Sequence, residues 1–256
     1  MDPIEIADFE PEGVTLLPVI AADFESRAEA ILGDHAPPAF DLAPYLVIVR
    51  NQNPRTIVAY TVAWTVTGRH GASHVKYTQY KFPDAVAGTS HGLSLLEGRE
   101  VRTGEQRLHG LGFELWPPEH ARAYRDYGLS EASEFGAVTR IEIALDAVIL
   151  DDGALLGPDR SHLAEHFIEF VRAKQSAYRD TLIALESGRP ADDALAPLRV
   201  MASAQPPTAP IDPLSIYPRM AAEEILAFHR RVSLEVFRRS LRREPFSIRR
   251  LSETSD

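Results

Sequence analysis

The clearest pattern along the chain is an alternation of apolar and polar residues between positions 56 and 67. Five apolar side chains recur there at every second position: Val58, Tyr60, Val62, Trp64 and Val66. A period of two, with β-branched and aromatic residues, is typical of a strand with one buried face. An apolar run at 45–49 precedes this stretch, and a more polar stretch at 73–82 follows it. We therefore predict three antiparallel strands within residues 44–82.

A second alternating stretch lies at residues 139–150 and ends in a turn signal. Asp151, Asp152 and Gly153 form an Asp-Gly hairpin sequence, because Asp-Gly tolerates the positive φ of a tight turn. Between these stretches, glycines interrupt short apolar segments, and we expect two or three short strands there. Seven or so strands at this spacing predict an antiparallel, immunoglobulin-like β-sandwich over residues 44–158.

The hydrophobic period changes after Asp159, where helical spacing begins. Apolar residues then recur three and four positions apart at Leu163, Phe167, Phe170 and Val171. This predicts a long helix to about residue 185, a short one at 191–202, and a last one at 221–243. A proline-rich connector, residues 205–218, precedes the last helix. The chain is therefore predicted to be α+β, with a C-terminal helical layer over residues 159–256.

The first 43 residues are expected to form an acidic lead-in with one short helix. Apolar spacing from Asp23 to Leu32, followed by Gly33, predicts that helix and its end. Residues 1–41 carry ten acidic side chains and a single basic one, Arg27. At the other end, residues 229–250 carry eight arginines. Blocks of opposite charge can pair between subunits, so we expect a protein partner or self-association as a homo-oligomer.

Composition excludes several classes of protein. The chain has 256 residues, a formal net charge of −10 and no cysteine. Disulfide scaffolds, iron–sulfur clusters and thiolate zinc sites are excluded, since each needs cysteine sulfur. The acidic charge argues against nucleic-acid binding, and no apolar run reaches the ~18 residues of a transmembrane helix. No signal peptide is visible, which favours the cytoplasm; an exported protein would require that a leader had been removed.

Two stretches of the chain resemble a loose group of uncharacterised bacterial proteins. They are residues 45–64, YLVIVRNQNPRTIVAYTVAW, and residues 150–159, which contain LDDG and GPD. The resemblance implies a β-sandwich followed by helices over residues 44–185. It transfers no catalytic residue, because the shared motifs are strand and turn patterns.

The sharpest chemical motif is His162-Leu-Ala-Glu165-His166. On a helix, residues four apart point the same way, so two imidazoles could bind one zinc ion, with Glu165 as general base. The order resembles that of the inverzincin metallopeptidases, which also need a downstream acid, for which Glu223 or Glu224 is the candidate. The simpler interpretation is a pair of histidines in a first helical turn, and we favour it. We accordingly predict no cofactor and keep zinc as the alternative.

The predicted last helix carries a second candidate surface. Its apolar stripe faces away from a group of four arginines: Arg231, Arg238, Arg239 and Arg242. Such a helix could lie on an acidic membrane surface or bind an anionic partner. We favour the alternative that its apolar face packs on the helical layer, because packing explains most amphipathic helices.

The remaining motifs identify no reaction. The sequence contains no phosphate-binding GxxxxGK[ST] loop and no GxSxG nucleophile elbow. Several histidines, among them His70 and His109, lie in predicted turns or glycine-rich segments and could form acid–base sites. We therefore predict a non-enzymatic binding or assembly module. The alternatives are a zinc-dependent hydrolase that uses His162, Glu165 and His166, and a protein that associates with anions or membranes through its arginines.

Overall fold

A computed structural model describes residues 4–6, 13–33, 45–81, 100–111, 113–114, 138–203, 216–230, 235 and 249–250. The chain divides into two compact units. The first, here called the β unit, comprises residues 1–81, 101–163 and 250–256. The second, the helical unit, comprises residues 82–100 and 164–249. The described residues form two sheets and four helices, which confirms the mixed α+β class.

The described strands and helices have the following bounds. The strands are β1 (Ile4–Ile6), β2 (Val14–Pro18), β3 (Leu46–Asn51), β4 (Ile57–Gly68), β5 (Ser73–Lys81), β6 (Gln106–Gly110), β7 (Phe113–Glu114), β8 (Val138–Leu150), β9 (Ala154–Leu156) and β10 (Arg249–Arg250). The helices are α1 (Phe24–Leu32), α2 (Leu163–Glu186), α3 (Ala191–Ser203) and α4 (Tyr217–His229).

The first sheet has the strand order β10-β9-β8-β4-β5, and β1 also pairs with β8. β4 lies between β5 and β8 and pairs antiparallel with both. The alternating apolar residues of β4 are buried, and Trp64 and Tyr60 are the largest fully buried side chains among the residues that the structure describes. The prediction of a strand with a buried face at 56–67 is thus confirmed.

The second sheet has the order β2-β3-β6-β7. Helix α1 packs on it through Phe24, Ala28 and Leu32, which cluster with Leu46 and Ile48 of β3. Gly33, with φ of 56°, ends this helix as predicted. The short helix of the N-terminal segment therefore covers one sheet with its apolar side.

The turn after β3 carries the chain from one sheet to the other. Residues 44–82 do contain three strands, but β3 belongs to the second sheet, whereas β4 and β5 belong to the first. Asn51 organises this turn: its amide donates to the carbonyls of Arg55 and Val101 and accepts from the backbone of Asn53. The three strands predicted within residues 44–82 are therefore present: β4 and β5 pair antiparallel with each other, and β3 pairs antiparallel with β2 and β6.

The predicted hairpin is confirmed at Asp151, Asp152 and Gly153. Gly153 has φ of 83°, and β8 pairs antiparallel with β9. The N-terminal segment, in contrast, contains strands that the sequence did not indicate. β1 pairs parallel with β8, so the first sheet is mixed and not purely antiparallel. β2 pairs with β3 in the second sheet.

The helical unit contains α3, α4 and α2 from residue 164 onward. Tyr178 and Leu185 of α2 form an apolar cluster with Leu195 of α3 and Ile225 of α4. α3 forms as predicted despite Pro197 in its interior. α4 begins at Tyr217 and ends at His229, so most of the helix predicted at 221–243 lies outside the described residues. Among the helices described, none has the length and apolarity needed to cross a membrane.

Candidate functional site

A groove in the helical unit is the candidate ligand site. Its cavity measures about 420 Å³, within the range of small-molecule sites. One wall is a stripe of α2: Ala173, Ser176, Ala177, Asp180, Thr181 and Ala184. The other wall is a stripe of α3: Ala194, Pro197, Leu198 and Met201. Arg189, from the turn that joins the two helices, and Pro218 of α4 complete the lining.

The groove exists because small side chains occupy the facing stripes. Positions three and four apart lie on one face of a helix, and on α2 that face carries alanines at 173, 177 and 184. Alanine fills little of the space between two helices. Ala177 and Ala194 are buried, while Met201 is 36% exposed at the edge. The result is an apolar groove that is open to solvent on one side.

Two opposite charges lie at this groove. Asp180 and Arg189 both line it, and both residues are exposed. Neither side chain makes a hydrogen bond or ion pair within the part of the chain that the structure describes. Two exposed ion pairs are formed elsewhere in the helical unit: Arg199 with Asp192 at 2.6 Å, and Arg219 with Glu223 at 2.8 Å. The groove therefore presents an acid and a base available to a ligand.

A buried ion pair stabilises the helical unit. Lys174 of α2 is 1% exposed, and its Nζ lies 2.7 Å from Oε2 of Glu224 on α4. A buried ammonium without a carboxylate would be costly, so this pair joins two helices. Glu224 is thus engaged with Lys174, and Glu223 with Arg219.

The structure separates the residues of the predicted zinc motif. Helix α2 begins at Leu163, and His162 precedes it with φ of 56°. The helical relation that would align His162 with His166 is therefore not formed. His166 lies on α2, where its Nδ1 is 2.6 Å from the hydroxyl of Tyr217. Across the described ranges, no three His, Asp or Glu side chains converge as a metal site.

The other predicted site residues have these positions. Glu165 is exposed in the first turn of α2. Four arginines proposed for anion or partner contact lie outside the described residues: Arg231, Arg238, Arg239 and Arg242. Zinc binding and anion binding both stay predictions.

The β unit contains a buried histidine between its two sheets. His109 of β6 is fully buried, and its Nε2 is hydrogen-bonded to the hydroxyl of Tyr60 on β4. The centroid of its ring also lies 4.0 Å from the centroid of the Tyr80 ring on β5. Burial, with a smaller contribution from Arg107, lowers the pKa of His109 well below its ordinary value. His109 is therefore neutral near pH 7 and joins the two sheets through aromatic contacts.

Nδ1 of His109 has no hydrogen-bond partner within the described part of the chain. A buried N–H without a partner is costlier than a bare lone pair, which favours a proton on Nε2, shared with Tyr60. This arrangement fits a neutral structural imidazole.

A second polar cluster of the β unit surrounds Asp146. Register changes from Thr61–Ala147 to Val62–Leu145 along the β4–β8 pair, so Asp146 is the extra residue of a β-bulge. Its carboxylate is buried and accepts hydrogen bonds from the backbone of Arg160 and Ser161. The bulge thus fixes the loop that leads into α2.

Side chains of β4 and β5 extend this cluster. Ser161 Oγ donates to Thr61 at 3.0 Å, and the Gln79 amide donates to the carbonyl of Ser161 at 2.7 Å. The ammonium of Lys81 donates a hydrogen bond to the side-chain oxygen of Gln79 at 3.0 Å. Burial lowers the pKa of Lys81 to about 8. Asp159, with φ of 56°, accepts from the backbone of Leu163 and so caps α2. These contacts anchor the loop before α2. The hydroxyl of Ser161 is hydrogen-bonded to Thr61 and not to a general base.

The groove was not predicted from the sequence, although α2 carries a signal for it. Ala173, Ala177 and Ala184 lie on one stripe of the predicted helix. Small residues at helical spacing indicate a close approach or an unfilled gap, and the sequence alone does not say which.

Comparison of the chain with protein-family models, with curated proteins and with solved structures gave no match.

Proposed function

We propose that the protein is a non-enzymatic binding module whose helical unit holds a small, largely apolar ligand in the groove between α2 and α3. The observation that carries this proposal is a 420 Å³ groove with apolar walls and two unpaired charges. Ligand sites combine an apolar lining with a few polar groups that fix orientation, and this groove has both.

The buried polar clusters support a binding role over a catalytic one. Asp146 and Ser161 bond backbone and side-chain groups that hold a loop in place. His109 is buried between sheets and bonded to Tyr60. Each cluster is engaged in holding the fold, whereas the charges of the groove have no such role.

The methionines provide a direct test. The chain has three; Met201 lines the groove, whereas Met220 does not line it and packs with Phe170 and Tyr217. With ¹³C-labelled methionine methyl groups, we expect apolar compounds to shift the Met201 signal in a saturable way. The Met220 signal serves as the internal reference. A Met201 signal that does not respond to any compound would refute the proposal.

A filled groove provides the matched variant. Ser176 is exposed and lines the groove, so Ser176→Phe should place a ring in it and abolish ligand binding. Ala196→Phe is the control, because Ala196 is exposed on α3 and does not line the groove. If both variants bind like the parent chain, the ligand lies elsewhere.

We also propose that the β unit is an immunoglobulin-like sandwich. The contact of His109 with Tyr60 and Tyr80 supports it, since these side chains belong to opposite sheets. The parallel pairing of β1 with β8 is a departure from a purely antiparallel arrangement. Self-association through the acidic and basic blocks remains a prediction, and sedimentation at increasing concentration would test it.

A further inference from the structure

We infer that the groove binds a short apolar peptide with both termini free, whose ammonium pairs with Asp180 and whose carboxylate pairs with Arg189. This inference rests on the proposed function and adds the chemical class of the ligand.

The charges are the first argument. A carboxylate and a guanidinium line the same groove, and neither is neutralised by another described side chain. A guanidinium binds a carboxylate through two parallel hydrogen bonds, and a carboxylate accepts readily from an ammonium. A ligand with one charge would satisfy only one of the two groups. A zwitterion satisfies both.

The position of the two charges is the second argument. Asp180 lies on α2 and Arg189 in the turn after it, so the two groups come from different parts of the lining. A peptide carries its ammonium and its carboxylate at opposite ends, whereas a free amino acid carries both on one carbon.

The lining is the third argument. Ala173, Ala177, Ala184 and Leu198 present apolar surface, which suits aliphatic side chains of the peptide. Burial of such side chains supplies the affinity, at roughly 25 cal/mol for each Å² removed from water. The charges at the exposed edge then set orientation, since exposed ion pairs contribute little affinity.

Three matched peptides test the inference: leucyl-leucine, its N-acetyl derivative and its C-terminal amide. The first carries both charges, and each derivative lacks one. Titration of each is followed by the methyl signal of Met201. An exposed ion pair contributes up to about 1 kcal/mol, so we expect each blocked peptide to bind about three- to fivefold more weakly than leucyl-leucine.

Charge variants identify the residues. Asp180→Asn should remove the preference for a free ammonium and leave the preference for a free carboxylate. Arg189→Gln should do the reverse. Asp193→Asn and Arg179→Gln are the controls, because both side chains are exposed on the same helices and neither lines the groove. All four positions are at the surface, so the variants are expected to fold.

The outcomes separate the two proposals. A preference for leucyl-leucine that Asp180→Asn and Arg189→Gln abolish supports the inference. Equal binding of the three peptides overturns the inference and leaves the proposed function standing. A Met201 signal that responds to no peptide and to no apolar compound overturns both.

Discussion

The β unit and the helical unit differ in how their polar side chains are hydrogen-bonded or ion-paired. In the β unit, the buried carboxylate of Asp146 accepts hydrogen bonds from two backbone N–H groups, and the His109 ring is hydrogen-bonded to Tyr60. In the helical unit, Lys174 is buried with Glu224, but Asp180 and Arg189 line an open groove and have no partner among the described residues. The polar groups of the β unit hold its fold, whereas we propose that these two charges of the helical unit serve a ligand.

This difference follows from the packing of each unit. β4 is flanked by two strands and buries most of its side chains, so a polar group without a hydrogen bond is costly there, and the buried Asp146 and Thr61 are both hydrogen-bonded. The helices of the second unit carry alanines at positions that could hold larger residues. Space and unpaired charge occur together there, which is why we assign binding to the helical unit.

The largest effect is expected from breaking the buried ion pair. Glu224→Ala leaves the ammonium of Lys174 buried without its carboxylate, which should cost about 3–5 kcal/mol in the free energy of unfolding. Glu223→Ala, one residue earlier, breaks only the exposed pair with Arg219 and should cost about 0.5 kcal/mol or less. Urea denaturation of both variants measures the difference.

The double variant Lys174→Met with Glu224→Leu sharpens this test. Replacing both charges with apolar side chains removes the penalty of an unpaired buried ion, so stability should return close to that of the parent chain. Equal losses for Glu223→Ala and Glu224→Ala would show that Lys174 is solvated in solution.

The next largest effect is expected at the β-bulge. Asp146→Asn places an amide NH₂ against a backbone donor of Arg160 or Ser161, which should cost about 2–3 kcal/mol. Asp151→Asn, in the exposed hairpin turn, should change stability by less than about 0.5 kcal/mol. Thermal unfolding measures both. A harmless Asp146→Asn would mean that the bulge does not hold the loop before α2.

A smaller effect is expected from the pH dependence of His109. Its pKa in the folded chain lies well below the ordinary value of 6.5, with Tyr60, Tyr80 and Arg107 around it. Below pH 6.5 the unfolded chain therefore takes up a proton that the folded chain does not. The free energy of unfolding should fall with decreasing pH, by at most about 1.4 kcal/mol per unit for this group.

The variant His109→Gln should remove that part of the pH dependence. His70→Gln, in an exposed turn, is the matched control and should keep the slope of the parent chain. Denaturation at pH 5 and pH 7.5 compares them. An unchanged slope in His109→Gln would indicate that another group causes the acid sensitivity.

A second pH-dependent effect is expected at Lys81. Burial lowers its pKa to about 8, from 10.5 in the unfolded chain. Between these values the unfolded chain holds a proton that the folded chain has lost, so stability contributed by Lys81 rises with pH in that window. Reductive ¹³C-methylation followed by NMR titration reads the pKa directly. A titration close to 10.5 would show that the amine is solvated.

Local sequence patterns predicted the β unit only in part. The alternation at 56–67 and the Asp-Gly turn at 151–153 specify strand and hairpin by period and backbone preference. The sheet to which β3 belongs depends on Asn51, whose amide bonds Val101 fifty residues away. The role of His109 depends on Tyr60 of the other sheet. Contacts so distant in sequence leave no local pattern.

The helices α2 and α3 could be predicted from the sequence, but the groove between them could not. Helical spacing identified α2 and α3, since core-facing residues repeat within a few positions. Zinc binding stays a prediction, but His162 and His166 are not on one helix, because α2 begins at Leu163. The alanine stripe of α2 was visible, but a groove depends on what faces it. Only the position of α3 shows that the space is unfilled.

The most direct test of the account is a measurement of nuclear Overhauser effects between leucyl-leucine and the labelled methyl groups of alanine and methionine. We expect cross-peaks from the leucine methyls to Ala184 and Met201, which line the groove, and none to Met220. Cross-peaks confined to residues of the β unit, or to Met220 alone, would contradict the assignment of binding to the groove.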